Sequence, residues 1–154
     1  MLPLIPRGLH RAALRAAHRT RHYWRRIVKP HLHGVSVIIC DAEERVLLVR
    51  HSYGPANWAL PGGGCKAGED ALVAAQREMH EELGLELRGA REVARIVETI
   101  SGAPHTAHVV TAEAAGEVRP DRREIVAARF FALDALPLPL SPLARRRLEA
   151  WRSQ

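Results

Sequence analysis

Three glutamates on one stretch of the chain have the types and the spacing that could hold a divalent cation. Glu78, Glu81 and Glu82 stand at positions i, i+3 and i+4, so a helix would place their carboxylates side by side. Like charges at this spacing repel one another, and a bound cation would offset the repulsion. Carboxylate oxygens suit hard ions that keep bound water, which indicates Mg²⁺ or Mn²⁺. Taken alone, such a cluster is more often a solvated helix face.

A glycine-rich loop precedes these glutamates and adds a second chemical feature. Residues 60–64 read Leu-Pro-Gly-Gly-Gly, so backbone groups there can approach a metal or a phosphate with no side chain in the way. A divalent ion beside a pyrophosphate neutralises charge and lowers the pKa of bound water. A carboxylate outside the metal's ligands can then accept the proton of that water. The loop and the helix together predict hydrolysis of a phosphoanhydride.

The spacing across residues 63–85 resembles the signature of the Nudix hydrolase family. That signature requires Gly, five residues, Glu, seven residues, Arg-Glu, an aliphatic residue, any residue, Glu-Glu, any residue, Gly and an aliphatic residue. Every defined position matches over 23 consecutive residues: Gly63, Glu69, Arg77, Glu78, Met79, Glu81, Glu82, Gly84 and Leu85. The flanking segments also resemble the family, so the likeness covers about residues 34–137.

The resemblance implies a fold and a set of metal ligands. The fold would be an α/β (α+β) structure, an α/β/α sandwich with a mixed β-sheet, in which the signature forms a loop–helix–loop catalytic motif. Glu78 and Glu82 would be the principal metal ligands. Glu81 would belong to the same cluster, and the Gly62 carbonyl would be a further ligand.

The same resemblance assigns roles to residues beside the metal cluster. Glu69 and Arg77 are expected to form an ion pair that fixes the loop against the helix, a supporting role that Gly63 shares. The general base varies in this family and often comes from a later loop. Glu124, just before the closing strand, is the candidate; an ordinary exposed loop residue is an equal alternative.

The signature leaves the rest of the substrate open, so candidate contacts are sought just upstream of the glycines. Arg50, His51 and Tyr53 are the candidates, because an aromatic ring could stack on a base and an arginine could pair with a phosphate. Trp58 is expected to pack under the loop instead. The expected substrate is a nucleoside diphosphate linked to another moiety, most simply a nucleoside triphosphate. An RNA 5′-end pyrophosphohydrolase and a non-catalytic Nudix binding or regulatory module are the alternatives.

The elements that must position these residues follow the chain in a mixed order. Helices are predicted over residues 9–28, 70–83 and 141–152. Strands are predicted over residues 34–40, 45–50, 91–100, 106–113 and 125–131, the first two forming a hairpin. The order favours a sandwich around one core. Four apolar residues of the middle helix are expected to face that core: Leu72, Ala75, Met79 and Leu83.

The charge of the chain is concentrated at its N-terminus. The 154 residues carry a net charge of +6. Residues 1–33 contain eight Lys and Arg and no acidic residue, whereas residues 34–154 contain 15 basic and 17 acidic residues. The chain is therefore divided into a basic N-terminal helical extension, 1–33, and a Nudix hydrolase domain, 34–154. The basicity belongs to the extension and says little about the reaction.

Three interpretations of the extension are open. Its apolar residues could dock the helix on the domain or on a second copy of the chain, giving a homodimer. Its basic residues, over 7–29, could contact RNA or an anionic membrane. Its Arg-rich, acid-free composition also resembles a transit peptide.

Composition excludes several other classes of protein. No run approaches the ~18 consecutive apolar residues that a membrane-spanning helix needs. Two cysteines, Cys40 and Cys65, are too few for a disulfide framework or a four-cysteine zinc site. A cytoplasmic location is therefore expected.

Overall fold

The computed structural model describes residues 7–28 and 31–154. All the helices and strands expected from the sequence are present in it. In chain order the elements are α1 (Arg7–Val28), β1 (Leu32–Cys40), β2 (Val46–His51), β3 (Gly62–Gly64), α2 (Ala71–Leu83), β4 (Glu86–Ile100), β5 (Ala103–Ala115), β6 (Ile125–Phe131) and α3 (Pro142–Arg152). Strands β4 and β5 are longer than expected, and β3 was not expected. None of the described helices is long and apolar enough to cross a membrane.

The strands form one mixed sheet in the order β4-β5-β1-β2-β6, and β3 pairs with β1 beside this path. β1 and β5 run parallel, with Gly34 opposite Ala107. The other pairs are antiparallel, including the expected β1–β2 hairpin, which closes at Cys40 and Val46. The mixed sheet and the α+β class predicted from the sequence are confirmed.

Apolar side chains alternate along β1 and build one core on each face of the sheet. Val37 and Ile39 pack on the α2 side, whereas Ile38 packs on the α3 side with Leu148. The helices therefore cover opposite faces, as in a three-layer sandwich. Within α2, Ala75, Met79 and Leu83 are buried as expected, but the expectation for Leu72 is wrong: its exposed fraction is 37%. Ala71 and Ala74 occupy the sheet-facing side of the first turns instead.

Helix α2, which carries the glutamates, is capped at both ends by local chemistry. The Asp70 side chain accepts a hydrogen bond of 2.8 Å from the Leu72 backbone N–H. Gly84 adopts the left-handed conformation, with φ of 64°, and its N–H donates to the His80 carbonyl at 3.1 Å. These caps fix where the helix begins and ends, and hence where the glutamates stand.

A buried ion pair joins α3 to the sheet. The Arg147 guanidinium donates to Glu98 Oε1 at 2.5 Å and to the Ser36 hydroxyl at 2.8 Å. Arg146 also pairs with Glu98, at 3.0 Å. Burial alone would raise the pKa of Glu98, but the hydrogen bond from Arg146 and the charge of Arg147 outweigh it and lower that pKa. Glu98 is therefore ionised at neutral pH and neutralises a buried arginine.

Replacing Glu98 with Gln should lower the free energy of unfolding by about 3 kcal/mol, because the Arg147 charge would then be buried without its counter-charge. Glu149→Gln, at an exposed position of α3, is the matched control and should change stability by less than about 0.5 kcal/mol. Urea unfolding of the three proteins measures both. Equal stabilities for the two variants would show that the pair does not hold α3.

Candidate active site

The glycines of the loop form the short strand β3, which fixes the loop against the sheet. Gly62 lies opposite Ser36 of β1, and Gly64 lies opposite Gly34. Gly62 has a φ of 150°, and a Cβ there would lie 2.0 Å from the Val35 carbonyl oxygen, so only glycine fits. The strand depends on backbone pairing, which a pattern of side chains does not reveal.

Gly63 is the point at which this loop meets helix α2. A Cβ at Gly63 would lie 2.4 Å from the carboxyl carbon of Glu78. The absence of a side chain therefore lets the Glu78 carboxylate lie against the loop backbone. Glu78 and the neighbouring Gly62, both expected metal ligands, are thereby held on adjoining surfaces.

Arg77 ties the loop to the helix through several hydrogen bonds. Its Nε and Nη2 donate to the two carboxylate oxygens of Glu69, each at 2.9 Å, and Nη2 also donates to the Gly64 carbonyl at 2.9 Å. The Lys66 N–H donates to Glu69 at 2.8 Å. The hydrogen bonds from Arg77 lower the pKa of Glu69 to about 2. The structure thus brings Glu69 and Arg77 together in the pair that the resemblance to the Nudix signature implied.

Arg77 also contacts the glutamates themselves. Its Nη1 lies 2.7 Å from Glu78 Oε1 and 3.8 Å from Glu81 Oε2. The Glu81 side chain is 60% exposed, so this glutamate stands at the solvent edge of the cluster. One arginine therefore balances part of the negative charge on the outer side of the helix.

Glu82 is the buried member of the cluster, with an exposed fraction of 6%. Burial and the charges of the neighbouring carboxylates, Glu78 first and then Glu124 and Asp121, raise the pKa of Glu82 to about 9. Its Oε2 is buried, and no group among the described residues donates a hydrogen bond to it. In the absence of a positive partner, this carboxyl group is therefore protonated at neutral pH, and a bound cation would displace the proton.

This arrangement fits a hard divalent cation. The donors available at the cluster are carboxylate and carbonyl oxygens, which Mg²⁺ and Mn²⁺ prefer. Within residues 7–28 and 31–154, no three His, Cys, Asp or Glu side chains are grouped closely enough to form a metal site by themselves. A cation bound at Glu82 would therefore need the backbone carbonyl of the loop, and it would compete with Arg77 for Glu78.

The loop before β6 brings a fourth and a fifth carboxylate to the cluster. The Asp121 N–H donates to the Glu82 carbonyl at 2.9 Å, which attaches the loop to the end of α2. Asp121 Oδ1 in turn accepts from the backbone N–H of Glu124 at 3.0 Å and of Ile125 at 2.9 Å. Sequence reasoning named Glu124 but missed Asp121. A signal for Asp121 was available in the sequence: it stands three residues before Glu124, a spacing at which an aspartate side chain can accept hydrogen bonds from the backbone of a turn.

A cleft of about 310 Å³ opens beside the loop on the α3 face of the sheet. His51, Tyr53, Gly62, Gly63 and Arg147 line it, among other residues. Burial lowers the pKa of His51, and the nearby His18 lowers it further, so His51 is neutral at neutral pH. Two of the three expected substrate contacts, His51 and Tyr53, thus lie beside the glycine loop.

Arg50, the third expected substrate contact, lies elsewhere. Its guanidinium carbon stands 5.8 Å from the ring centroid of Trp58, a cation–π contact, and Arg50 does not line the cleft. Trp58 in turn packs edge-on against Phe131, with ring centroids 4.9 Å apart. Trp58 is therefore part of the packing below the loop, as expected, and a substrate role for Arg50 stays a prediction.

Together, a three-layer sandwich, a glycine loop and a glutamate-bearing helix beside a cleft define the hydrolase class that the signature suggested. Residues 30–151 match the NUDIX domain family. Among solved structures, the MutT NUDIX hydrolase from Burkholderia pseudomallei is 31% identical with a TM-score of 0.72, and the match covers 79% of this chain and 98% of that one. The ORF135 protein of E. coli is 26% identical with a TM-score of 0.68, over 82% and 91% of the two chains.

The chain belongs to the Nudix family. An RNA pyrophosphohydrolase from Rhodospirillum rubrum is 42% identical over 55 residues, which is 36% of this chain and 33% of that protein. An RNA pyrophosphohydrolase from Sodalis glossinidius is 42% identical over 61 residues, 40% of this chain and 34% of that protein. The matched segment therefore spans about a third of the length of these relatives. The enzyme class expected from the sequence, a Nudix-type pyrophosphohydrolase, agrees with these matches.

The metal-free protein should lose stability as the pH rises from 4.5 toward about 9, because folded Glu82 holds a proton that the unfolded chain releases in this range. The slope is at most about 1.4 kcal/mol per pH unit. Glu82→Gln has no such proton, so the difference between its free energy of unfolding and that of the wild type should grow in its favour as the pH rises. Urea unfolding in EDTA at several pH values measures the difference.

Two additions complete this test. Mg²⁺ should stabilise the wild type at alkaline pH and should not stabilise Glu82→Gln. Glu149→Gln, at an exposed position, should follow the wild-type pH curve. Parallel curves for wild type and Glu82→Gln would contradict the account of the buried carboxylate.

Arg77→Lys should weaken Mn²⁺ binding by roughly 10–100-fold while the protein stays folded. A lysine is a point charge and cannot bond both oxygens of Glu69 together with Gly64. Arg91→Lys, at an exposed position of β4, is the control. Titration with Mn²⁺ measures the affinity. Wild-type affinity in Arg77→Lys would show that the ion pair does not support the metal ligands.

Proposed function

We propose that this chain hydrolyses the phosphoanhydride of a nucleoside diphosphate linked to another moiety, most simply a nucleoside triphosphate, with Mg²⁺ or Mn²⁺. One observation carries the proposal. Glu82 is buried among other carboxylates with an oxygen that lacks a hydrogen-bond partner among the described residues, and Gly63, which lies against Glu78, also lines a cleft large enough for part of a nucleotide.

Each group of the cluster has a part in this reaction. Glu78, Glu82 and the Gly62 carbonyl would hold the ion, with Glu81 at its edge. When bound, the ion neutralises phosphate charge and lowers the pKa of water. Arg77 keeps the loop and the helix in register through Glu69. Water attack on one phosphorus breaks the phosphoanhydride bond and releases a nucleoside monophosphate and the remaining phosphate product.

Glu124 is the proposed general base, which takes the proton of the attacking water. Its charge contributes to the raised pKa of Glu82, which supports a position near the cluster. Its backbone is held on both sides: its N–H donates to Asp121, and its carbonyl accepts from the Ser52 N–H at 2.8 Å. A base on a loop fixed in this way costs little reorganisation during the reaction.

The 5′ end of RNA is the second candidate substrate. The RNA pyrophosphohydrolases of Rhodospirillum rubrum and Sodalis glossinidius favour it, because they are 42% identical to this chain over the segments that match. The reaction would be the same, with the nucleoside monophosphate replaced by a 5′-monophosphate chain. A non-catalytic binding module is less well supported, because binding alone does not require a buried carboxylate cluster.

The setting of the reaction is also part of the proposal. Oxygen donors favour Mg²⁺ as the ion, with Mn²⁺ as its substitute. A cytoplasmic location suits Cys40 and Cys65, which are both free thiols in the structure. A homodimer through the N-terminal extension stays a prediction, since the side chains of residues 21–28 and all of 29–30 lie outside the described residues.

Phosphate release from a panel of nucleoside triphosphates, nucleotide sugars, ADP-ribose, dinucleoside polyphosphates and 5′-triphosphate RNA tests this function. The wild type should act on at least one member in the presence of Mg²⁺ and on none in EDTA. Glu82→Gln should lower kcat by more than about 100-fold. Residues that only orient a metal ligand typically cost up to about 100-fold when mutated, and a direct ligand should cost more.

Glu124→Gln distinguishes the base from the metal ligands in the same assay. It should lower kcat by roughly 10²–10⁴-fold and leave Mn²⁺ affinity unchanged. Wild-type turnover by Glu82→Gln in excess Mg²⁺ would contradict the metal site. A parallel loss of Mn²⁺ affinity in Glu124→Gln would make Glu124 a ligand and not the base.

A further inference from the structure

Helix α1 lies outside the segment that matches the family and is strongly basic in sequence. The family match begins at residue 30, whereas α1 ends at Val28. Three basic residues of α1 matter for the argument: Arg11 and His18, which contact the domain, and Arg15, which is exposed. At about 3.6 residues per turn, these three positions fall on one face of the helix.

Two of these side chains hold the helix against the domain. Arg11 donates from Nε at 3.2 Å and from Nη2 at 2.7 Å to one oxygen, the Arg122 carbonyl. The His18 ring lies 5.5 Å from the Tyr53 ring, and a Cβ at Gly54 would lie 3.4 Å from His18 Nε2. The helix therefore contacts two separate loops.

Both of these loops belong to the candidate active site. One carries Glu124 and the other carries Tyr53, which lines the cleft. They are joined directly: the Ser52 N–H donates to the Glu124 carbonyl at 2.8 Å, and the Ser52 hydroxyl donates to the Arg123 carbonyl at 2.6 Å. Helix α1 thus contacts both of these joined loops, and its His18 lies against Tyr53 of the cleft lining.

Arg15 lies between the two anchoring residues. It is exposed, and among the described residues it makes no hydrogen bond or ion pair. At ~1.5 Å per residue it stands about 6 Å along the axis from Arg11 and about 4.5 Å from His18. Its charge is therefore not used to hold the helix, and it lies about one helical turn from His18, whose ring contacts Tyr53 of the cleft lining.

We propose that this face of α1 is a binding surface for the phosphate backbone of single-stranded RNA whose 5′ phosphates enter the cleft. The proposal rests on the proposed function and names the substrate class. A mononucleotide would end within the cleft, whereas an RNA would continue beyond it toward Arg15, about one helical turn from the His18 that contacts Tyr53. An anionic membrane fits less well, since the Arg11–His18 face is turned to the catalytic loops.

Salt-dependent RNA binding by the full-length chain tests this proposal. The probe is a fluorescent eight-nucleotide RNA with a 5′-triphosphate, and all proteins carry Glu82→Gln so that binding is read without hydrolysis. Loss of one phosphate contact lowers the slope of log affinity against log salt by about 0.7. Arg15→Ala should therefore bind roughly fivefold more weakly at 0.1 M salt, and Arg15→Lys should restore most of the affinity.

Arg88→Ala is the matched control. Arg88 is exposed on β4 and lies opposite Glu113 of β5. Glu113 in turn lies opposite Cys40, which is six residues along β1 from Gly34, a residue that lines the cleft. That separation is about 20 Å along the strand. Arg88→Ala should leave both the affinity and the salt slope unchanged.

Three results would overturn the proposal: an unchanged salt slope in Arg15→Ala, an equal loss for Arg88→Ala, or an equal loss of affinity for a nucleoside triphosphate. Binding of the wild type to anionic vesicles that is lost in Arg15→Ala, with RNA affinity retained, would assign the helix to a membrane instead. The binding experiment uses variants that do not hydrolyse the RNA. A failure of the proposed hydrolysis would therefore appear only in the phosphate-release panel, whereas a failure of the proposed RNA-binding surface would appear only in the binding experiment.

Discussion

The repulsion among carboxylates around Glu82 is the constraint on which the rest of the site depends. Glu82 is buried, and Glu78, Asp121 and Glu124 add negative charge around it. Arg77 offsets this charge only on the outer side, where it pairs with Glu78. A cation on the inner side would complete the balance, so the feature that costs stability in the metal-free protein is the one that the proposed catalysis would require.

The scaffold imposes this crowding through its backbone. Pairing of β3 with β1 sets the loop, the caps of α2 set the helix, and Asp121 attaches the following loop to the helix end through the Glu82 carbonyl. None of these contacts involves a side chain that reads a base or a sugar. The proposed chemistry would thus be fixed by the fold, while the cleft, whose lining residue Tyr53 contacts His18, would select the substrate.

Sequence reasoning succeeded where a local rule acts on consecutive residues. The end of α2 at Gly84 follows from helix capping, and the ion pair of Glu69 with Arg77 was implied by the resemblance of this stretch to the Nudix signature. It failed where distant segments meet. Strand β3 arises from pairing of glycines with β1, and the approach of Asp121 to Glu82 and of His18 to Tyr53 depends on loops far apart in the chain.

The central claim is that Glu82 and Glu78 hold a divalent cation beside the glycine loop. A crystal structure of the protein grown with Mn²⁺, examined for the anomalous signal of the metal, tests it most directly. We predict a peak within bonding distance of Glu82 Oε2, the buried oxygen that lacks a partner among the described residues, with Glu78 as a second ligand. Full occupancy of Mn²⁺ at another set of residues, with Glu82 still buried and uncoordinated, would contradict the account.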